Sequence, residues 1–164
     1  MQENKKLDFS TFEAVSIKLT KLSVAQSLNF VKSNLNKLGQ NTIAEAIGLE
    51  IISVEEGLVK GKLPVDSRTH QPYGLLHGGA SVVLAETLGS IGSHFLVEKE
   101  GKGAVGIEIN ANHVRSVKSG WVYGTATIKH RGGKLHVWSI DIVDESDKLV
   151  CTSRLTVMII PRNE

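Results

Sequence analysis

The carboxylate of Glu86, the imidazole of His77, the side-chain amide of Gln71 and the pair Gly78-Gly79 fall within one stretch, THQPYGLLHGGASVVLAETLGSIGSHF, residues 69–95. His77-Gly78-Gly79 leads into a helical pattern, and glycines there let a ligand approach the backbone closely. The first amides of a helix have no internal acceptor and sit at the positive end of its dipole. A carbonyl oxygen placed there is polarised, and an oxyanion formed from it is stabilised. Farther along stands Glu86, the one Asp, Glu, Lys or Arg between Gly78 and Val97. A carboxylate near amide donors is a candidate nucleophile or general base. Each piece has a plainer reading. A single helical glutamate is ordinarily solvated, His77 can be a simple cap, Gly78-Gly79 can serve packing, and Gln71 alone is no signal. The order Gln71, His77-Gly78-Gly79, Glu86 across one loop-to-helix unit is what concentrates the chemistry.

The elements around this unit follow from periodicity. Residues 22–38 repeat apolar side chains every three or four positions and predict an amphipathic helix ended by Gly39. Thr42 and Glu45 suit a capping box for a short helix stopping at Gly48. Residues 49–54 and 58–63 read as strands, followed by a loop over 64–76 that Pro64, Pro72 and Gly74 keep irregular. The long helix is predicted over about 79–97, with Ala80, Val83, Leu84, Leu88, Ile91 and Phe95 on its apolar face. Its side with Gly89, Ser90, Gly92 and Ser93, next to Glu86, is unusually small and suits approach of a second chain or a ligand. Val105, Ile107 and Ile109 then alternate with polar or small residues as a half-buried strand. Residues 121–129, 135–143 and 149–160 are three further strands with short connections. Four successive strands without helices between them exclude parallel crossovers. An antiparallel sheet against one central helix, an α+β arrangement, is the expected solution.

Bulk properties narrow the function class. At 164 residues, 41% hydrophobic and 22% charged, the chain fits one domain. A formal charge of +2 without a run of basic residues gives no reason to expect a nucleic-acid partner. The single cysteine, Cys151, rules out an internal disulfide and suits a reducing compartment. No secretory pattern opens the chain and no uninterrupted apolar run approaches membrane length, so a cytoplasmic protein without a membrane partner is expected. The six histidines lack zinc-type spacing, so no metal is expected.

The run DSRTHQPYGLLHGGASVVLAETLGS, residues 66–90, resembles the active-site segment of hotdog-fold acyl-CoA thioesterases. The similarity is strongest to the branch with 1,4-dihydroxy-2-naphthoyl-CoA hydrolase and the aryl-carrier-protein proofreading thioesterase. It continues through GIEINANHVRS, HRGGKLHVWSIDI and SRLTVMI, and so covers about residues 41–160. It implies a hotdog domain over 41–160, in which an antiparallel sheet wraps one long helix. Residues 1–40, with the helix that periodicity predicts there, have no counterpart in the resemblance and form an extension before the domain. Glu86 matches the family's carboxylate, Gly78 the glycine whose amide polarises the thioester carbonyl, and Gln71 and His77 the groups around the attacking oxygen. Ser90 matches a polar helper one turn past the carboxylate. His113, Val114, Arg115 and Ser116, with His130, Arg131, Gly132, Gly133, Lys134 and Leu135, match segments that hold the CoA nucleotide at a subunit interface. Gly106 opens the first of these blocks.

Elementary physics is compatible with that assignment. Arg115 offers a cationic fork for phosphate, and Gly132-Gly133-Lys134 offers amides with a point charge, although Gly132-Gly133 is also an ordinary hairpin turn. The resemblance further implies a homodimer with shared sites, assembled into a homotetramer, with no cofactor because the thioester is already activated. The expected activity is hydrolysis of aryl- or medium-acyl-CoA, 1,4-dihydroxy-2-naphthoyl-CoA of menaquinone biosynthesis included. Acyl-thioester dehydration on the same fold and non-catalytic acyl-CoA sensing are the alternatives. The first calls for a different His and acid motif. The second calls for a DNA-binding unit, which the extension does not resemble. His70, beside Gln71, has no assigned part.

Overall fold

The computed structural model describes residues 35–37 and 39–162. The predicted helix over 22–38 therefore lies outside the described residues, except for 35–37, which are helical. A short helix α1 (Ile43–Ile47) follows, capped by the Thr42 hydroxyl, which accepts from the Ala44 amide. The Glu45 carboxylate accepts from the Asn41 amide at 2.6 Å, one residue earlier than a capping box requires. Gly48 ends the helix at φ 73°, a left-handed conformation that glycine adopts without a side-chain clash.

Six strands follow: β1 (Glu50–Glu55), β2 (Leu58–Val65), β3 (Lys102–His113), β4 (Gly120–Arg131), β5 (Leu135–Asp144) and β6 (Leu149–Pro161). They form one sheet in the order β1-β2-β4-β5-β6-β3, and every neighbouring pair is antiparallel. The long helix α2 (Gly78–Val97) lies in the curve of this sheet and runs into a 3₁₀ turn at Glu98–Glu100. One long helix wrapped by an antiparallel sheet is the hotdog fold. The end of β2 differs from the prediction. Pro64 and Val65 stay in β2, paired with Trp121 and Gly120. Pairing with β1 stops at Lys62, so the missing proline donor falls where β2 has lost that neighbour.

The core forms where α2 meets the sheet. Leu84 and Leu88 are fully buried against Val59, Leu63, Val122, Ile140 and Leu155. Burial of each leucine stabilises by roughly 1.5–3 kcal/mol. The buried face of α2 is not the predicted one, because it also takes in Ser81, Ala85, Gly89, Gly92, Ser93 and Leu96. Ala80, Val83, Ile91 and Phe95 are half-buried at its margins. This corrects the reading of the small side as an open surface. A Cβ at Gly92 would run into the Trp138 indole, and one at Gly89 would come 2.5 Å from Leu155. The glycines make room for a tryptophan, not for a second chain. α2 is long and apolar enough to cross a membrane by composition, but half of that stretch is buried as the core helix.

A polar knot closes this face. Trp138 Nε1 donates to Ser93 Oγ at 2.8 Å, and His136 Nδ1 lies 3.1 Å from the same oxygen. Burial pushes the His136 imidazole below its ordinary pKa, and Arg131 and His130 add to the effect.

Candidate active site

The loop before α2 is held from several sides. The Thr69 hydroxyl, almost wholly buried, donates to the Pro64 carbonyl at 2.8 Å, and the Thr69 carbonyl accepts from the His77 amide at 2.8 Å. His70 Nε2 lies 3.0 Å from the Lys118 carbonyl, and the Leu76 amide donates to Val117, so the loop is tied to the segment after β3. That gives His70 a tethering part. The guanidinium of Arg68 grips Asp66 and holds its carboxyl down at about 2. Gln71 Oε1 accepts from the Tyr73 amide at 2.6 Å, which leaves the side-chain NH2 donors as its chemistry toward a ligand.

His77 is the N-cap of α2. Its Nδ1 accepts from the Gly79 amide at 2.8 Å, so the neutral ring carries its proton on Nε2 and can donate outward. The Gly78 amide is the first of the helix, and among the described residues no hydrogen bond takes it up. A Cβ at Gly78 would come 2.7 Å from His113 Nε2, so the His113 ring lies over the helix start. Glycine is what lets that approach happen.

Glu86 is exposed and reaches toward β3, where a Cβ at Gly106 would come 2.9 Å from its Oε1. Pairing of β3 with β6 shifts register between Gly106 and Glu108, a bulge directly beneath the carboxylate. Ser90 is half-buried one turn on. Eight residues of helix separate Gly78 from Glu86, about 12 Å along the axis. A glutamate leaning back toward the helix start covers only part of that distance. A reacting carbon must lie about 3 Å from both the attacking group and the oxyanion donor. Within one chain the two halves do not meet.

A family model described as "Thioesterase superfamily" matches residues 73–151, which include His77, Gly78, Glu86 and Gly106. The 1,4-dihydroxy-2-naphthoyl-CoA hydrolase of Escherichia coli is 46% identical over 77% of this chain and 92% of its own. Proofreading thioesterase EntH of Klebsiella pneumoniae is 44% identical over 77% and 91%. Among solved structures, a thioesterase from Haemophilus influenzae superposes with a TM-score of 0.77 at 47% identity, covering 81% of this chain and 92% of that one. The chain belongs to the thioesterase superfamily. It is a thioester hydrolase with the hotdog fold.

The segments matched to the nucleotide do not come together in one copy of this thioesterase. Val114 and Arg115 donate their amides to Val150, and Arg115 Nε reaches the Leu149 carbonyl at 3.3 Å, all at the start of β6. Ser116, exposed, follows them. Leu135 pairs with Met158 and the Lys134 carbonyl accepts from Ile159, at the other end of that strand. Eight or nine strand residues lie between, about 27–30 Å. His113 sides with the helix start instead. At the far end, the Gly132 amide donates to Leu135, Gly133 is open, and the His130 ring lies against Gly132. Arg131 pairs with Glu56 at 2.8 Å. A cavity of about 210 Å³ opens there between Lys102, Arg131 and His136.

Among the described residues no group of His, Cys, Asp or Glu could hold a metal ion. Cys151 is buried and its thiol is pushed up by that burial, which suits packing more than reaction. Sequence reasoning missed the Ser93, His136 and Trp138 knot, because Ser93 lies more than 40 residues from the other two and carries no local signal.

Proposed function

We propose that this thioesterase hydrolyses aryl- or medium-acyl-CoA thioesters, 1,4-dihydroxy-2-naphthoyl-CoA among them, in a site shared by two chains. Glu86 of one chain faces Gln71, His77 and Gly78 of the other. The observation that carries the reading is the untaken Gly78 amide lying about 12 Å along one helix from Glu86, too far for one thioester to use both within a chain. The exposed edge of β3 supports it. Val105 and Ile107 are 48% and 49% exposed there, beside Gly106 and the carboxylate, and such an edge is suited to pairing with a second chain.

In this site the Gly78 N–H donates to the thioester oxygen, and Glu86 removes a proton from water as the hydroxyl adds to the carbonyl carbon. The oxyanion forms at the amide and helix terminus, where the positive end of the dipole stabilises it. The C–S bond then breaks, the carbonyl re-forms, and CoA leaves as thiolate and takes a proton. Glu86 can instead add directly and form an anhydride that water opens. His77 Nε2–H and the Gln71 amide donate to the oxygens in play, and Ser90 offers a hydroxyl beside the carboxylate. Arg115 and the Gly132–Lys134 turn hold nucleotide phosphates from different subunits of a homotetramer. No metal or organic cofactor takes part. The cytoplasm, where acyl-CoA is made and used, is the place for this reaction.

Complementation tests the shared site. Gln71→Ala/His77→Ala subunits and Glu86→Ala subunits, each inactive, are dissociated mildly, mixed and reassembled. A mixed dimer holds one intact site, so CoA release from benzoyl-CoA should return. Hybrids shown to form by mass spectrometry and still inactive would sink the shared site.

A further inference from the structure

We propose that the acyl group enters a cavity between α2 and the segment before β1, and that this selects medium-length aliphatic acyl thioesters. The proposal rests on the site reading above and deepens it. The cavity holds about 530 Å³, within the range of small-molecule sites. Its lining is largely apolar, from Leu35, Ile43, Leu49, Ile51 and Ile91.

The cavity adjoins the chemistry. Thr87, which follows Glu86 directly, and Ile91 form its α2 wall. At about 100° per residue, Thr87 lies about 100° and Ile91 about 140° round the helix from Glu86. Val83 and Ser90 stand between, at about 60° and 40°. A thioester carbon at the Glu86 carboxylate thus sends its acyl substituent over a low ridge of Val83 and Ser90, then down into the cavity. The path is about 10 Å round a helix of ordinary diameter. An acetyl group ends on the ridge, and so does most of a benzoyl ring. An octanoyl chain crosses it.

The opposite wall is built to stay. Leu35 is 5% exposed and belongs to the core. The Ile51 amide donates to Asn36 Oδ1 at 2.8 Å, and Asn36 Nδ2 donates back to the Ile51 carbonyl at 3.3 Å. This pairing fixes residues 35–36 along β1. At the rim, the Arg68 guanidinium lies across Gly48 and is already engaged by Asp66, so it presents no uncompensated charge to an apolar chain. Trp121, over whose ring Lys62 Nζ sits at 3.8 Å, completes the mouth.

The test is a series of acetyl-, hexanoyl-, octanoyl- and benzoyl-CoA with the full-length protein, Ile91→Trp and Ala44→Phe. The two substitutions fill the cavity from opposite walls, and thermal melting checks that each variant folds. In the unaltered protein kcat/KM should rise about fourfold per buried methylene, so about fifteenfold from hexanoyl to octanoyl. In a folded variant the octanoyl-to-acetyl ratio should collapse tenfold or more. A ratio unchanged in either folded variant, or a flat series in the unaltered protein, overturns the proposal. Calorimetric titration with sodium octanoate separates this outcome from failure of the site. Binding to the unaltered protein at one octanoate per chain, lost in Ala44→Phe, supports the cavity even if Glu86→Ala turns out to be active. Absence of octanoate binding counts against it.

Discussion

The two long sides of α2 are made of similar residues and do opposite things. On one side Gly89, Gly92 and Ser93 are buried, the glycines against Trp138 and Leu155 and the serine hydroxyl against Trp138 and His136. On the other side Glu86, Thr87 and Ser90 remain partly or fully exposed, and the carboxylate meets Gly106 across a bulge. The packed side sets where the helix lies against the sheet. The open side uses that fixed position to hold a reactive group at a place where a second chain or a substrate can reach it. A substitution on the packed side should therefore cost stability, and one on the open side should cost turnover.

The largest expected effect is on the open side. Glu86→Ala should lower kcat by roughly 10²–10⁴-fold with an unchanged melting temperature. Near-normal turnover of the best acyl-CoA would remove the carboxylate from the mechanism. On the packed side, Gly92→Val drives a branched side chain into the Trp138 ring and should destabilise by about 1–3 kcal/mol or more. Urea unfolding measures this, and an unchanged midpoint would mean that the ring moves freely. Ser93→Ala leaves the Trp138 N–H and the His136 ring without their shared oxygen and should cost about 1–3 kcal/mol. Here kcat per folded molecule should hold, and a fall in kcat without loss of stability would couple the two sides.

The smallest effect is on pH dependence. His136 and His94 both have pKa values lowered chiefly by burial, so the folded state keeps them neutral while the unfolded chain protonates at ordinary values. The unfolded state then binds more protons between the two pKa values, and stability falls as pH drops below about 6.5. It is fully present above that value. His136→Gln should make the acid-side fall shallower in unfolding titrations from pH 8 to pH 5. An unaltered slope would assign the fall to other groups.

The succession of strands and the central helix were legible in single segments. Val105, Ile107 and Ile109, however, do not share one half-buried face as expected: the bulge between Gly106 and Glu108 leaves Val105 and Ile107 exposed and only Ile109 part-buried. The face that α2 buries was not legible. Periodicity weights large side chains, whereas the partner of Gly92 is a tryptophan 46 positions downstream, whose size makes a glycine the core residue. Pro64 was read as a breaker because its cost depends on whether β1 still runs beside it, which is a property of register. At the site, the order Gln71, His77, Gly78, Glu86 was visible, and the His77 cap follows from its place before a helix. The approach of His113 to Gly78 and of Glu86 to Gly106 could not be read, because each joins elements brought together by the sheet edge. The nucleotide segments looked like a set in sequence, but the length of β6 holds them apart.

The two tryptophans of the chain stand in different surroundings, and that makes the protein its own optical instrument. Trp138 is wholly enclosed and hydrogen-bonded, so its emission should be blue-shifted and should move to the red when the core opens. Trp121 borders the 530 Å³ cavity beneath a lysine ammonium, a neighbour that perturbs an excited indole. Light from Trp138 follows folding, and light from Trp121 follows what fills the cavity. Replacing either with phenylalanine would separate the two signals in one cuvette, without a dye or a label.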